Sequence, residues 1–171
     1  MQTRDAIRSR RNVRSYTDQT IPRAHLTQIL EAARRSPSSS NRQRWDFIVV
    51  TDRPQLQELS TVWRGARHVA SSAATIAISA PVSQDPAERE SIQYDLGQVT
   101  MAIMLAAADL GVGSGHSAVR DQDAARRILG LPPDRFAAWL VALGYPADRP
   151  LRPIAQPDRR VFDDVVHWGR W

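Results

Sequence analysis

The stretch from Arg34 to Trp45, RRSPSSSNRQRW, decides how the chain is read. A helical pattern runs into it, with Leu26, Ile29, Leu30 and Ala33 at the i, i+3, i+4, i+7 spacing of a buried stripe. The segment WDFIVVT (45–51), rich in aromatic and β-branched residues, leaves it as a buried strand. Between them stand four serines, four arginines, an Asn, a Gln and a Pro, with almost nothing to bury. Pro37 breaks the helix and restrains Ser36 to extended geometry, so the following hydroxyls project from a stiff corner. Such a corner is either a solvated turn or a set of donors and acceptors offered to a ligand.

A second polar cluster shifts the balance toward a ligand. In RRNVRSY (10–16), Arg10, Arg11 and Arg14 crowd into five residues and repel one another unless an anion or carboxylates sit between them. All 23 basic residues are Arg, which titrates so high that a modest +5 excess raises the isoelectric point to 10.8. Residues 1–67 hold 13 Arg against 6 acids, while residues 68–171 hold 10 against 12. The positive charge belongs to the part that carries both polar clusters, and a small anion such as a phosphate explains it at least as well as nucleic acid does. No DNA-binding motif is recognisable, so no nucleic-acid partner is expected.

Composition narrows the rest. A chain of 171 residues suits one domain, 1–171, able to bury roughly 70% of its unfolded surface. Absence of cysteine excludes disulfides, thiolate metal sites and a Cys nucleophile, and four scattered His make no metal site. No window approaches the roughly 18 apolar residues of a membrane span, and the N-terminus lacks the apolar core of a signal peptide. The expectation is a cytoplasmic protein with no membrane partner.

Read in order, residues 3–11 form a short helix anchored by Ile7, and a second helix starts at Thr20-Ile21-Pro22. A third helix spans 54–66, and a strand spans 74–80 up to Pro81. Residues 82–89 read as an exposed link. From Ser91 to Leu110 the longest helix is apolar on several faces and is expected to pack all round, across a subunit boundary if need be. Gly111, Gly113 and Gly115 stop it and allow close backbone approach, but they do not match a dinucleotide fingerprint. A short strand is expected over 115–119, a helix capped by Asp121 over 122–129 up to Gly130, and a buried strand over 137–144. The proline-rich tail ends in RRVFDDVVHWGRW (159–171), whose aromatic residues need a surface to pack on, in the same chain or a partner.

Five segments in this order resemble the FMN-dependent nitroreductase family: RRNVRSY (10–16), SPSSSNRQRWDFIVV (36–50), LGVGSG (110–115), LVALGYPAD (140–148) and RRVFDDVVHW (159–168). The resemblance implies an α+β fold with a central, mostly antiparallel sheet flanked by helices. It also implies an intertwined homodimer with the C-terminal tail exchanged onto the partner and FMN bound between the subunits. Carried over by motif, Arg10 and Arg11 would lie near the phosphate and ribityl chain, Asn12 beside them, and Arg14 near the pyrimidine side of the ring. Pro37, Ser38, Ser39, Asn41 and Gln43 would reach the flavin from the other subunit. His116, Ser117, Ala118 and Val119 would pack under the ring, and Arg159 and Arg160 would hold the phosphate.

The implied activity is that of an oxidoreductase taking hydride from NAD(P)H and passing it to a nitroaromatic or quinone-type acceptor by a ping-pong route. No side chain acts as nucleophile and no metal takes part; the flavin N5 carries the chemistry. Arginine suits a phosphate because its planar fork binds two oxygens at once. A cation about 5 Å from the ring's N1–C2=O edge would favour the anionic reduced form by roughly 3 kcal/mol at an effective dielectric of 20, and Arg14 is the candidate.

Asn12, Ser40, Arg44 and the pair Ala118-Val119 depart from residues common in the family (Ser, Gly, Pro and a Gly pair), and the chain lacks room for a substrate-covering insert. A shallow site with loose substrate choice follows. Alternatives are another flavin chemistry on the same fold (dehalogenation, flavin fragmentation or dehydrogenation of one substrate), a flavin-binding protein without catalysis, and a basic nucleic-acid module.

Overall fold

The computed structural model describes residues 2–171. Its centre is a four-stranded antiparallel sheet of β1 (Asp46–Val50), β2 (Ala74–Pro81), β3 (Gly113–Ala118) and β4 (Arg135–Gly144), in the spatial order β1-β2-β4-β3. The helices are α1 (Thr3–Ser9), α2 (Arg23–Arg34), α3 (Arg53–Leu59), α4 (Pro86–Asp109) and α5 (Gln122–Leu129).

Both faces of the sheet are covered, which is why β2 reads as a nearly unbroken apolar run rather than an alternating one. Its large residues point one way. Ile76 and Ile78 join Val141, Leu143 and the stripes of α2 and α4, including Ile29, Leu96, Val99 and Ile103. On the other face small residues, Ala77, Ala137 and Ala142, admit Leu56, Leu59, Val62, Val69 and the N-terminal residues Val13 and Tyr16. The stripe chosen by periodicity in α2 is the one buried, and Asp121 and Gly130 bound α5 as expected: the Asp121 carboxylate accepts from the Ala124 N–H at 2.8 Å, and Gly130 has φ +65°.

Four expectations change. The third helix stops at Leu59, and Arg64–Ser71 forms a separate 3-10 turn after a break at Trp63. The exposed link is shorter than expected, because Asp85 accepts from the Ala87 N–H at 3.0 Å and starts α4 at Pro86. Ile7 is 57% exposed; α1 is anchored by Ala6 and Ser9 instead. Strand β1, expected to be buried, is an edge strand in which Val50 alone is buried and Val49 is 37% exposed. On α4, Tyr94 and Met101 are 73% and 44% exposed on one side, the side on which packing across a subunit boundary would have to come. Among the described residues no helix is long and apolar enough to cross a membrane.

The segment before α2 explains the glycines after α4. Residues 12–16 run along β3 and β4, with the Val13 N–H donating to the Ser114 carbonyl at 2.8 Å. A Cβ on Gly113 would sit 2.8 Å from the Val13 side chain, one on Gly144 would sit 2.7 Å from the Tyr16 ring, and one on Gly115 would strike the Val13 carbonyl. The close approach these glycines permit is therefore to the chain's own N-terminal segment. Buried Tyr16 fixes the other end by donating to the Val13 carbonyl at 2.7 Å, and burial raises its phenol above the usual value. Gly115→Ala should thus lower the unfolding free energy by about 1–3 kcal/mol, through overpacking against backbone that cannot swing away. Urea denaturation checks this, and an unshifted midpoint would show that the segment is free to move.

Candidate functional site

Docking of residues 12–16 places Arg14 at a cleft of about 570 Å³, opposite the 3-10 turn Arg64–Ser71 and beside His116 of β3. In a 3-10 turn, residues three apart eclipse, so Arg64 and Arg67 stand on the same side. Gly65 is needed here because a Cβ would collide with the Trp63 indole, which folds back over the turn. The Arg120 guanidinium lies 5.7 Å from the centre of that indole. Among the described residues no carboxylate lines the cleft.

Two imidazoles occupy its wall. His68 is buried, and its Nε2–H donates to the Gly115 carbonyl at 3.1 Å. Burial lowers its pKa from 6.5, with the Gly115 and Gly65 carbonyls opposing the shift and Arg14 adding to it. His116 is lowered as well, first by burial and then by Arg10, Arg14 and His68. Its ring meets Trp139 edge-on at 5.8 Å, and its buried Nδ1 has no hydrogen-bond partner. Both rings are neutral at pH 7, so the positive charge of the cleft comes from guanidinium groups.

The other expected site residues fall into separate places. Arg10 is half-buried and near enough to His116 to act on its charge. Arg11 is already engaged: its guanidinium donates to Asp148 Oδ1 and to the Arg149 carbonyl, both at 2.7 Å, and holds the Asp148 carboxyl down to about 2. In this arrangement it straps the N-terminal segment to the chain after β4. Asn12 uses its backbone to bridge Ser114. Ser117 and Val119 are buried, and the Val119 side chain belongs to the core beside α5. Ala118 is half-buried.

The serine corner sits against α4, and none of its residues lines the cleft. The Ser39 N–H donates to both oxygens of the Asp95 carboxylate, at 3.0 and 3.2 Å, and the Gln43 N–H donates to Ser38 Oγ at 2.9 Å. Arg44 donates to Glu88 at 2.9 Å and Ser91 at 2.8 Å and lies 3.6 Å from Asp95. Ser40, Asn41 and Gln43 have φ of 51°, 53° and 49°, which accounts for glycine being common where Ser40 stands. Pro37, Ser39, Asn41 and Gln43 are exposed. Arg159 and Arg160 donate to carbonyls of their own tail, Asp158 and Asp164, and earlier in that tail the Ile154 N–H donates to the Arg8 carbonyl of α1 at 3.0 Å.

Trp63, Arg64, Arg67 and His68 were missed because residues 54–66 read as one continuous helix. The available signal was WRGARH (63–68), where a glycine interrupts the helical pattern and two arginines are spaced by three.

Two outcomes follow. Asp95→Ala leaves the Ser39 N–H without its acceptor and Arg44 with Glu88 as its one carboxylate, so it should cost about 1–3 kcal/mol and speed tryptic cleavage after Arg42. Unchanged cleavage would mean the corner is held elsewhere. Because His68 and His116 have lowered values, the folded chain binds fewer protons than the unfolded one below pH 6.5, and stability is lost as pH falls through that region. The urea midpoint should drop between about pH 7.5 and 5.5, and by less in His68→Gln; equal drops would remove His68 from the account.

The family described as "Nitroreductase family" matches residues 7–145. A protein of Archaeoglobus fulgidus, provisionally named as an NADH dehydrogenase/NAD(P)H nitroreductase, is 32% identical over 169 residues and is covered to 96%, as is this chain. The oxygen-insensitive NADPH nitroreductase of Salmonella typhimurium is 30% identical over 175 residues, covering 94% of this chain and 71% of the relative. An FMN-dependent nitroreductase of Clostridium difficile superposes with a TM-score of 0.84 at 24% identity, over 97% of this chain and 98% of its own. The match runs from α1 to the end of β4 and includes both polar clusters, so the chain belongs to the nitroreductase family.

Proposed function

We propose that this protein is an FMN-dependent oxidoreductase that takes hydride from NAD(P)H and passes it to nitroaromatic or quinone-type acceptors in a ping-pong cycle. It would work in the cytoplasm as a homodimer. The observation that carries the reading is the cleft itself: the guanidinium groups of Arg14, Arg64 and Arg67 without a lining carboxylate, beside two imidazoles whose charging burial disfavours. An anionic, hydrogen-bonding aromatic cofactor supplies what these groups lack. Arg14, His68 and His116 would hold the ring of FMN, and Arg10 its phosphate.

When bound, FMN supplies the hydride chemistry at N5. The chain's own residues bind, orient and set charge. Arg14 places a permanent positive charge in the cleft, which favours extra negative charge on whatever ring lies there. His68 is locked by the Gly115 carbonyl in the Nε2–H form, so it adds a fixed dipole and no net charge. His116 stands in the wall of the cleft beside Arg14.

The dimer is supported by what one chain leaves uncovered. Trp168 and Trp171 are 86% and 102% exposed, Phe162 is 62% exposed, and α4 shows Tyr94 and Met101 on an open side. A tail that crosses to a second copy would cover these groups and carry Arg159 and Arg160 toward that copy's Arg10. The same pairing would bring the serine corner, with Pro37, Ser38, Ser39, Asn41 and Gln43, to the neighbouring cleft.

Purified protein should be yellow or become so with FMN, be bleached anaerobically by NADH or NADPH, and recover its colour with a nitrofuran or a quinone. It should sediment at twice the 19.1 kDa chain mass, and deletion of residues 158–171 should abolish both dimer and colour. A colourless protein that ignores added FMN refutes the reading.

A further inference from the structure

Six of the 23 arginines have a carboxylate within 3.0 Å. Glu31 takes Arg34 and Arg35, Glu88 takes Arg44, Asp123 takes Arg126, Asp46 takes Arg135 and Asp148 takes Arg11. Arg64 and Arg67 differ. Both are exposed, both line the cleft, and among the described residues neither makes an ion pair. Their 3-10 spacing sets two like charges on one side of one turn, an arrangement that is self-repelling until an anion comes between them. Beside them lies the half-buried Trp63 indole, held in place by the missing Cβ of Gly65 and covered on one side by Arg120.

We propose that Arg64 and Arg67 form an anion subsite on the rim of the cleft, taking a carboxylate or phosphate carried by the molecule that meets the flavin. The inference rests on the flavin reading above and deepens it by naming the charge of the substrate. Two forked guanidinium groups next to a flat aromatic surface suit an aromatic acid: the forks take the carboxylate oxygens and the indole edge lies against the ring. Neither residue is needed for the core, because both side chains stand in solvent. The same chemistry has a second source, the 2′-phosphate of NADPH, and the two are separable by experiment.

The test uses flavin-loaded protein and two acceptors of one shape, 4-nitrobenzoate and the neutral 4-nitrobenzamide, with NADH as donor. The ratio of kcat/KM should favour the carboxylate by roughly tenfold at low salt, fall as salt rises, and approach one in the double variant Arg64→Gln/Arg67→Gln. With the amide as acceptor, the NADPH to NADH ratio gives the second arm. A drop there on double substitution, with the acceptor ratio unmoved, assigns the subsite to the donor's phosphate. If neither ratio moves, or if the variant only loses FMN, the proposal is overturned. Calorimetric titration of benzoate into the protein as purified reads the pair without turnover: binding should weaken in the double variant, and unaltered binding refutes the subsite. A colourless preparation would sink the flavin reading while that titration still decides this one.

Discussion

The approach of residues 12–16 to the glycine-marked side of β3 and β4 is the constraint on which the rest depends. It is a backbone contact, Val13 N–H to the Ser114 carbonyl, and it is possible because Gly113, Gly115 and Gly144 leave no Cβ in the way. Through it Arg14 reaches the cleft, and the Gly115 carbonyl beneath it fixes His68. One contact thus couples the first polar cluster, the glycine run and the 3-10 turn. Tyr16 closes the arrangement by burying its ring and donating to carbonyls of the segment and of β4.

Charge is sorted by place. On the α4 side, acids and bases are matched: Asp95 and Glu88 meet Arg44, and Asp95 also takes the Ser39 N–H. That network shapes the corner. In the cleft the balance is one-sided, with arginines, neutral imidazoles and no lining carboxylate. Matched charges stabilise a conformation and leave nothing over, whereas unmatched cations in a concave place are an attraction for an anion.

Much of the layout was legible in residues 20–51 and 113–144, where apolar spacing is regular and caps are explicit. The α2 stripe, β1, β2, β4 and the Asp121–Gly130 helix all stand close to where spacing puts them. The 3-10 turn was not legible, because Leu56, Leu59, Val62 and Trp63 keep helical spacing through the break, just after which the Trp63 indole lies against Gly65. Arg11 could be recognised as part of a basic motif, but its partner Asp148 is 137 residues away and no local pattern announces it. Ile7 failed for a plainer reason: one apolar residue on a short polar helix does not say which way the helix turns. The proposed meeting of Arg159 and Arg160 with the N-terminal arginines would need a second copy of the chain, which no local pattern describes.

The left-handed residues of the serine corner have a consequence for recognition. Ser40, Asn41 and Gln43 each sit in a region that an unconstrained chain visits rarely, and Asp95 keeps them there through the Ser39 amide. The conformational entropy of this corner is surrendered when the protein folds, not when a ligand arrives. A rigid array of hydroxyls and amides of this kind loses little freedom on binding, so even a shallow contact with it can be selective for shape.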